Sequence, residues 1–455
     1  MEAVRSELTN VNKRTVFWES TGGWFLSPLV VSLANLILVF IAAILPPDWL
    51  SRTLDAKDIC FLNPNFLLVS CLSVFSFIIG IALAAIIFNQ SRVMVKKSPF
   101  FQPTRLLIKR SKILAGATIC GEIIVAIILI ARVGPINYLL ALKNPVAGTI
   151  LREHIVTIAR IGGVNVLATQ IFFLPALIIV FFVTLSYNHN KNRVISLVPA
   201  ILGLLAYCAT NALTFTRWQI LESVLSVIIV YFFVKNSQHG LSFNKIIKII
   251  FYFLIFAIVI FLGINLIKTK INGTNALIGY IFGSYNNAAA VISGVIKQPF
   301  NGSTYVTLGA IWNAPLLGGS IRELGRSLGL NLPSASAGAT IAWSSWSDTL
   351  RGTGLNPMYQ WDTVFGAVYG DVGLFFPLVF ILYGFISQCF FVKAMNLRLF
   401  HLLVYVFILV SLISWFSGVF ISNTTLDDYL IFSSVLYFLF NRQWGLSILV
   451  NKRAL

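Results

Sequence analysis

Apolar runs of about 20 residues, the length a helix needs to cross the hydrocarbon of a bilayer, recur along most of this chain. That rule predicts about ten transmembrane helices. They are expected at Leu26 to Leu45, Phe66 to Phe88, Ile113 to Ala131, Val164 to Ser186, Val194 to Leu213, Trp218 to Val234, Ile246 to Ile267, Thr363 to Phe391, Leu402 to Ile421 and Asp428 to Phe440. One long interruption, Lys268 to Asp371, breaks the series and gathers polar and aromatic residues. The pattern divides the chain into an N-terminal membrane domain of about seven helices over 1–267, a large loop with short helices over 268–362, and a C-terminal membrane domain of about three helices over 363–455. The expected class is an all-α polytopic membrane protein.

Composition agrees. Of 455 residues 58% are hydrophobic and only 11% charged, beyond the range of soluble domains. The net charge of +18 raises the question of nucleic acid, but the basic residues are scattered between apolar spans rather than gathered on one soluble face, which excludes that partner. Topology explains the charge better. Arg92, Lys96, Lys97, Arg105, Lys109, Arg110 and Lys112 follow the second span with no acid among them, whereas Asp48, Asp55 and Asp58 follow the first and Asp427 and Asp428 precede the last. By the positive-inside rule both termini are expected in the cytoplasm, with the long loop on the periplasmic side of a bacterial inner membrane and the basic loops against anionic lipid.

The N-terminus lacks the short apolar core and small-residue cleavage site of a secretory signal, so the first span is expected to be retained. Cys60, Cys71, Cys120, Cys208 and Cys389 form no CxxC pair and indicate neither a disulfide framework nor a zinc site. Between the third and fourth spans, Thr149 to Ile161 sets Leu151, Ile155 and Ile158 against Thr149, Arg152, Glu153 and Arg160, the pattern of an interfacial amphipathic helix. Glu122 falls within the third span and should face other helices. Arg217, at the outer mouth between the fifth and sixth spans, lies where the positive-inside rule does not require a cation; it can reach a lipid phosphate or simply snorkel.

Inside the long loop, Ala276 to Ile296 is half apolar and reads equally as a helix or a partly inserted segment. The stretch from Leu317 to Gly329 predicts a short helix, with Ser320 as N-cap, Glu323 completing a capping box and Gly329 as the stop. Arg322 and Arg326 then project together, a pair of planar forks suited to a pyrophosphate, unless Glu323 merely bridges to Arg326. The small-residue run Leu332 to Ala339 followed by Trp343, Trp346, Tyr359 and Trp361 suits a flap presenting flat rings to sugars, or an interfacial aromatic belt. At the start of the eighth span Gly366, Gly370 and Gly373 should let another element come close, Pro377 should kink the helix, and Asp371 should lie near the outer hydrocarbon boundary.

The region around Arg217, the long loop, and the run Tyr369, Gly370, Asp371, Val372, Gly373 opening a late span together resemble the Wzy-type O-antigen polymerases, the oligosaccharide repeat-unit polymerases. The resemblance covers the layout of most of the chain, and its sequence-specific part is a few arginines and the acid-glycine run. It implies a fold similar to membrane-embedded lipid-linked glycosyltransferases. It also implies a metal-independent enzyme without a cofactor that polymerises undecaprenyl-pyrophosphate-linked oligosaccharide, serving as both donor and acceptor, and that works beside a chain-length regulator protein. Such transfer needs a base and a cationic site for the leaving pyrophosphate. Asp371, Asp362 and Glu222 are the candidate bases; Arg217, Arg322, Arg326 and Arg351 the candidate phosphate ligands; Trp343, Trp346, Trp361 and Tyr369 the candidate glycan contacts. Arg217 and Asp371 rank first. No Asp-x-Asp pair or His/Cys cluster marks a metal site in the outer loops. An O-antigen ligase would share the layout but should carry a histidine in the long loop, and the histidines are His154, His189, His239 and His401. A lipid-oligosaccharide flippase should show two related halves, which this sequence does not.

Overall fold

The computed structural model describes residues 25–48, 59–88, 103–143, 151, 155, 160–161, 164–165, 168–187, 196–239, 243–268, 279–299, 302–314, 317–333, 340–356, 361–418 and 424–441. Among these, the chain is helical apart from one antiparallel two-residue pairing, β1 (Arg160–Ile161) with β2 (Val164–Asn165). The first four helices are α1 (Pro28–Ile44), α2 (Pro64–Ile87), α3 (Arg105–Val133) and α4 (Pro135–Lys143). Past the β pairing come α5 (Ala168–Tyr187), α6 (Val198–Leu213), α7 (Arg217–His239) and α8 (Phe243–Lys268). Helices therefore occupy the expected stretches. Among the described residues, Pro64–Ile87, Arg105–Val133, Trp218–Asn236 and Thr363–Met395 are long and apolar enough to cross a membrane, while Pro28–Ile44, Phe172–Tyr187, Val198–Leu213 and Leu399–Ile413 are apolar but shorter. The chain is a helical, multi-pass membrane protein.

Local chemistry explains where several helices begin. Ser27, Asn63 and Thr104 cap α1, α2 and α3, their side-chain oxygens accepting from the amides of Val30, Phe66 and Leu107 at 3.3, 2.9 and 3.3 Å. Pro28 and Pro64 follow two of these caps, where the missing N–H costs no helical bond. α3 begins earlier than hydropathy alone indicated, so Arg105, Lys109, Arg110 and Lys112 form its first turns. The fourth expected span also shifts: Val164 is in β2, and the helix starts at Ala168. Most of the segment expected as an amphipathic helix, 149–161, lies outside the described residues. Its apolar positions Leu151 and Ile155 are buried against Val125, Leu129 and Val133 of α3, and its last two residues are strand rather than helix.

After the long loop, α13 (Thr363–Val372), a single 3-10 turn (Gly373–Phe375) and α14 (Phe376–Met395) lead to α15 (Leu399–Ile413) and α16 (Thr424–Asn441). Residues Leu402 to Leu412 of α15 are all buried, as expected of a helix that is apolar around its whole circumference. α1, α7, α14 and α16 pack around it. Asn35 of α1 donates its amide to the Leu412 carbonyl at 2.9 Å, and the Tyr405 hydroxyl bonds the carbonyl of Leu26.

The tightest crossing is between α2 and α14. A Cβ at Gly80 would lie 2.0 Å from the Ile381 carbonyl oxygen, and one at Gly384 would lie 2.0 Å from that of Phe77. Without a strong hydrophobic force between helices in lipid, such small residues supply association by letting backbones meet. Glu122 is 0% exposed and turned into the bundle, as its place within the third span required. Thr210 of α6 bonds the Glu122 backbone carbonyl at 3.3 Å.

Candidate functional site

The long loop does not stand apart from the bundle. Its first described part is a π-turn, Gly279–Gly283, leading into α9 (Ser284–Ile292), whose nine residues are all buried. α9 packs on α13 and α2. Gly366 makes the first contact possible, since a Cβ there would sit 2.7 Å from Ala288. Asparagines lock the same element in place. Asn286 accepts from the Phe61 amide at 2.7 Å and donates to the Ile59 carbonyl at 2.9 Å, while Asn287 donates to the Trp361 carbonyl at 3.0 Å. The choice that the sequence left open for Ala276 to Ile296 thus resolves as a buried helix in its second half.

Asp371 ends α13 and is 1% exposed. Its Oδ2 accepts three hydrogen bonds, from the amides of Val306 (3.0 Å) and Thr307 (2.7 Å) and from the Thr307 hydroxyl (2.7 Å). The turn that offers these donors is held from behind. Trp312 of α10 (Gly309–Trp312) donates Nε1 to the Thr304 carbonyl and hydroxyl, both at 3.1 Å, and Tyr383 of α14 donates to the Thr307 carbonyl at 2.9 Å. Thr304 has φ of +60°, a conformation that a threonine keeps only where its surroundings impose it. The other oxygen of Asp371, Oδ1, has no hydrogen-bond partner among the described residues.

A cavity of about 790 Å³ opens beside Asp371, lined among others by Val291, Lys297, Thr304, Tyr369 and Phe375. The break after α13 shapes its mouth. Gly373, at φ +55° and ψ −133°, ends the helix, and Pro377 starts α14 instead of kinking a continuous one as expected; at a first turn its missing N–H disrupts nothing. Gly370 has its own close neighbour, Gln298, whose Oε1 would lie 2.6 Å from a Cβ there. Gln298 is buried, with neither amide atom partnered among the described residues.

The residues singled out from sequence are distributed unevenly. Asp371 and Tyr369 share the cavity. Asp362 is buried one residue before α13, yet its side chain does not cap the helix; the Thr363 hydroxyl does, accepting from the amides of Phe365 and Gly366 at 3.2 and 3.3 Å. Burial pushes the Asp362 carboxyl up to about 7. Trp361 is half-buried beside it. Glu222 lies half-buried near the start of α7, a helix packed on α5, α6 and α15, and is not among the cavity-lining residues. Arg217 opens α7, but its side chain lies outside the described residues.

The loop arginines have local partners. α11 (Gly318–Ser327) starts three residues earlier than expected, so Ser320 is inside the helix rather than capping it, and Glu323 turns to Arg326 at 3.2 and 3.0 Å. Gly318 explains the early start: a Cβ there would meet the Asn313 backbone at 2.7 Å. Gly329 does stop the helix, at φ +88°. Arg322 donates to Asn313 Oδ1 at 2.9 Å, and Arg351 on α12 (Thr340–Gly352) bonds exposed Asp348 at 3.1 Å. Trp343 is on α12 with its side chain outside the described residues, as is the run 334–339 expected to be a flap. Trp346 is 1% exposed and packs with Ala290, Ile296, Leu350 and Leu355, so its ring belongs to a core and not to an open platform.

No protein-family model, curated protein or solved structure matches this chain. Among the described residues no group of three or more His, Cys, Asp or Glu side chains stands together. What the site offers chemically is one carboxylate anchored through one oxygen and buried without a partner among the described residues at the other, with Lys297 lining the same cavity. Sequence reasoning missed Lys297 and Thr307. Lys297 had a signal, as the sole basic residue between Lys270 and Arg322. Thr307 had none, because only the fold brings it to Asp371.

Proposed function

We propose that this protein is a glycosyltransferase of the inner membrane that polymerises undecaprenyl-pyrophosphate-linked oligosaccharide repeat units on the periplasmic side. In this reading the chain crosses the bilayer about ten times with both termini in the cytoplasm. Both substrates are lipid-linked, and the energy for each bond is carried by the donor's own pyrophosphate. The observation that supports the reading is the divided role of Asp371 at the junction of loop and membrane helices: Oδ2 is pinned by Val306 and Thr307, while Oδ1 is buried without a hydrogen-bond partner among the described residues, on a residue that lines the cavity.

The step balances as follows in chemical terms. An acceptor hydroxyl oxygen bonds to the anomeric carbon of the donor, its proton passes to Asp371 Oδ1, and the anomeric C–O bond breaks with its electron pair leaving on the pyrophosphate. A carboxylate held by three donors cannot swing, which keeps its second oxygen aimed at one place. Arg217 and Arg322 are the cations proposed for the departing charge, while Arg326 and Arg351, each paired with a carboxylate on its own helix, are the weaker candidates.

The test supplies the purified protein with one lipid-linked repeat and no nucleotide sugar. A ladder spaced by whole repeats supports the proposal. Product that forms only when lipid A core is supplied points to a ligase, and transbilayer movement without a new bond points to a flippase; either outcome overturns it. Reporters fused after Ser111 and after Ala337 should read as cytoplasmic and periplasmic, and the reverse pattern would remove the site from its substrates.

A further inference from the structure

The cavity beside Asp371 carries opposite charges in different settings. Asp371 is buried, Lys297 is exposed, and among the described residues these are the only charged side chains that line the cavity. One side of its mouth is apolar. Phe375, at the break between α13 and α14, is 71% exposed, and exposed Leu374 and Leu378 continue the strip along the start of α14, within the membrane-crossing stretch Thr363–Met395.

A ligand that satisfies both the charge and the apolar strip has an anionic group for Lys297 and an apolar chain to cover Leu374, Phe375 and Leu378. A free phosphate meets only the first requirement. A neutral lipid meets only the last. We infer that Lys297 binds the phosphate of a lipid-linked substrate whose chain enters sideways from the bilayer across the Gly373 break. This assignment deepens the function proposed above and rests on its placing of the reacting hydroxyl at Asp371. The buried, unpartnered amide of Gln298 behind Gly370 adds a second polar group beside the same wall. A lysine suits the role because a compact ammonium on a flexible stem can follow a phosphate without a fixed fork geometry.

The experiment uses the full chain in lipid nanodiscs and measures binding of three probes: a long-chain polyprenyl phosphate, the polyprenol of the same length, and inorganic phosphate as competitor. Polyprenyl phosphate should bind saturably and at least tenfold tighter than the polyprenol. Lys297→Ala should weaken the phosphate lipid about tenfold, equivalent to about 1.4 kcal/mol, and leave the polyprenol unchanged. Lys297→Arg should restore most of the loss. Phe375→Ser should weaken both lipids. Unchanged binding in Lys297→Ala, equal binding of the polyprenol, or displacement by inorganic phosphate at equal concentration would each overturn the assignment. Its fate separates from that of the parent proposal. Lysine-dependent lipid binding in a protein that builds no ladder leaves this site standing without the polymerase, and a full ladder from Lys297→Ala does the reverse.

Discussion

Asp371 has two roles that substitution can pull apart. Oδ2 accepts two backbone N–H groups and one hydroxyl at 2.7 to 3.0 Å, anchoring the 302–308 turn to the end of α13. Hydrogen bonds to a charged group contribute about 1.5–3 kcal/mol each, and orphaning buried donors costs their desolvation as well. Asp371→Ala abandons all three donors and should lower stability by about 3–5 kcal/mol. Asp371→Asn can place its carbonyl where Oδ2 stood and keep all three bonds in neutral form; such bonds are roughly half as strong, a loss of about 2–4 kcal/mol that the easier burial of a neutral group offsets in part, leaving about 1–2 kcal/mol. Thr307→Val removes only the hydroxyl and should cost about as much as one charged bond, about 1.5–3 kcal/mol. Activity should follow a different order. An amide cannot take a proton, so Asp371→Asn should slow ladder formation by about 10²- to 10⁴-fold while Thr307→Val keeps most of the rate. Thermal unfolding in one detergent and ladder formation from lipid-linked repeats give the two readouts. Wild-type rates in Asp371→Asn would show that the second oxygen is not the base. Equal stability of the Ala and Asn variants would show that the turn is not anchored there.

Three other outcomes follow from the same geometry. The Asp362 carboxyl, pushed up to about 7 by burial, holds its proton in the folded state well above the ordinary carboxylate value of 3.8, so the folded state binds more protons than the unfolded one between those values and stability should fall as pH rises from about 4 to 7. At about 1.36 kcal/mol per unit the ceiling is roughly 4 kcal/mol; Asp362→Asn should flatten that part of the pH–stability curve, and an unchanged slope would refute the assignment. Gly384→Ala should destabilise by about 1–3 kcal/mol or more because its methyl meets a backbone carbonyl across the α2–α14 crossing, whereas Gly116→Ala, with no atom within 4 Å of its Cβ, should be neutral or slightly stabilising on thermal unfolding. Arg326→Ala and Arg351→Ala each remove a half-exposed or exposed bridge worth about 0–1 kcal/mol, so neither should move the melting temperature measurably.

What could be read from the sequence follows from which forces act along the chain and which act across it. Hydropathy is a property of consecutive residues, so it located the helices. Helix length and continuity depend on breaks, and the stronger break lay in a glycine's positive φ at Gly373 rather than in the proline four residues on, which fits a helix start without strain. The arginine pair shows a related limit. The four-residue spacing correctly put Arg322 and Arg326 on one helix and left open the Glu323–Arg326 bridge that forms, but spacing cannot reveal that Asn313 would engage Arg322. Asp371 was legible because an acid beside glycines at the start of an apolar span is costly unless something compensates it. Its compensation, the turn around Thr307, arrives from 64 residues away and leaves no trace in the local pattern. Lys297 was passed over for the opposite reason: a lone lysine in a polar stretch needs no explanation until a fold sets it at the rim of a cavity with a buried carboxylate behind it. The chemistry of such a site is therefore assembled from one residue that the sequence makes conspicuous and several that it does not, and among the inconspicuous ones Thr307 tests how the carboxylate is held while Lys297 tests whether the cavity binds its ligand.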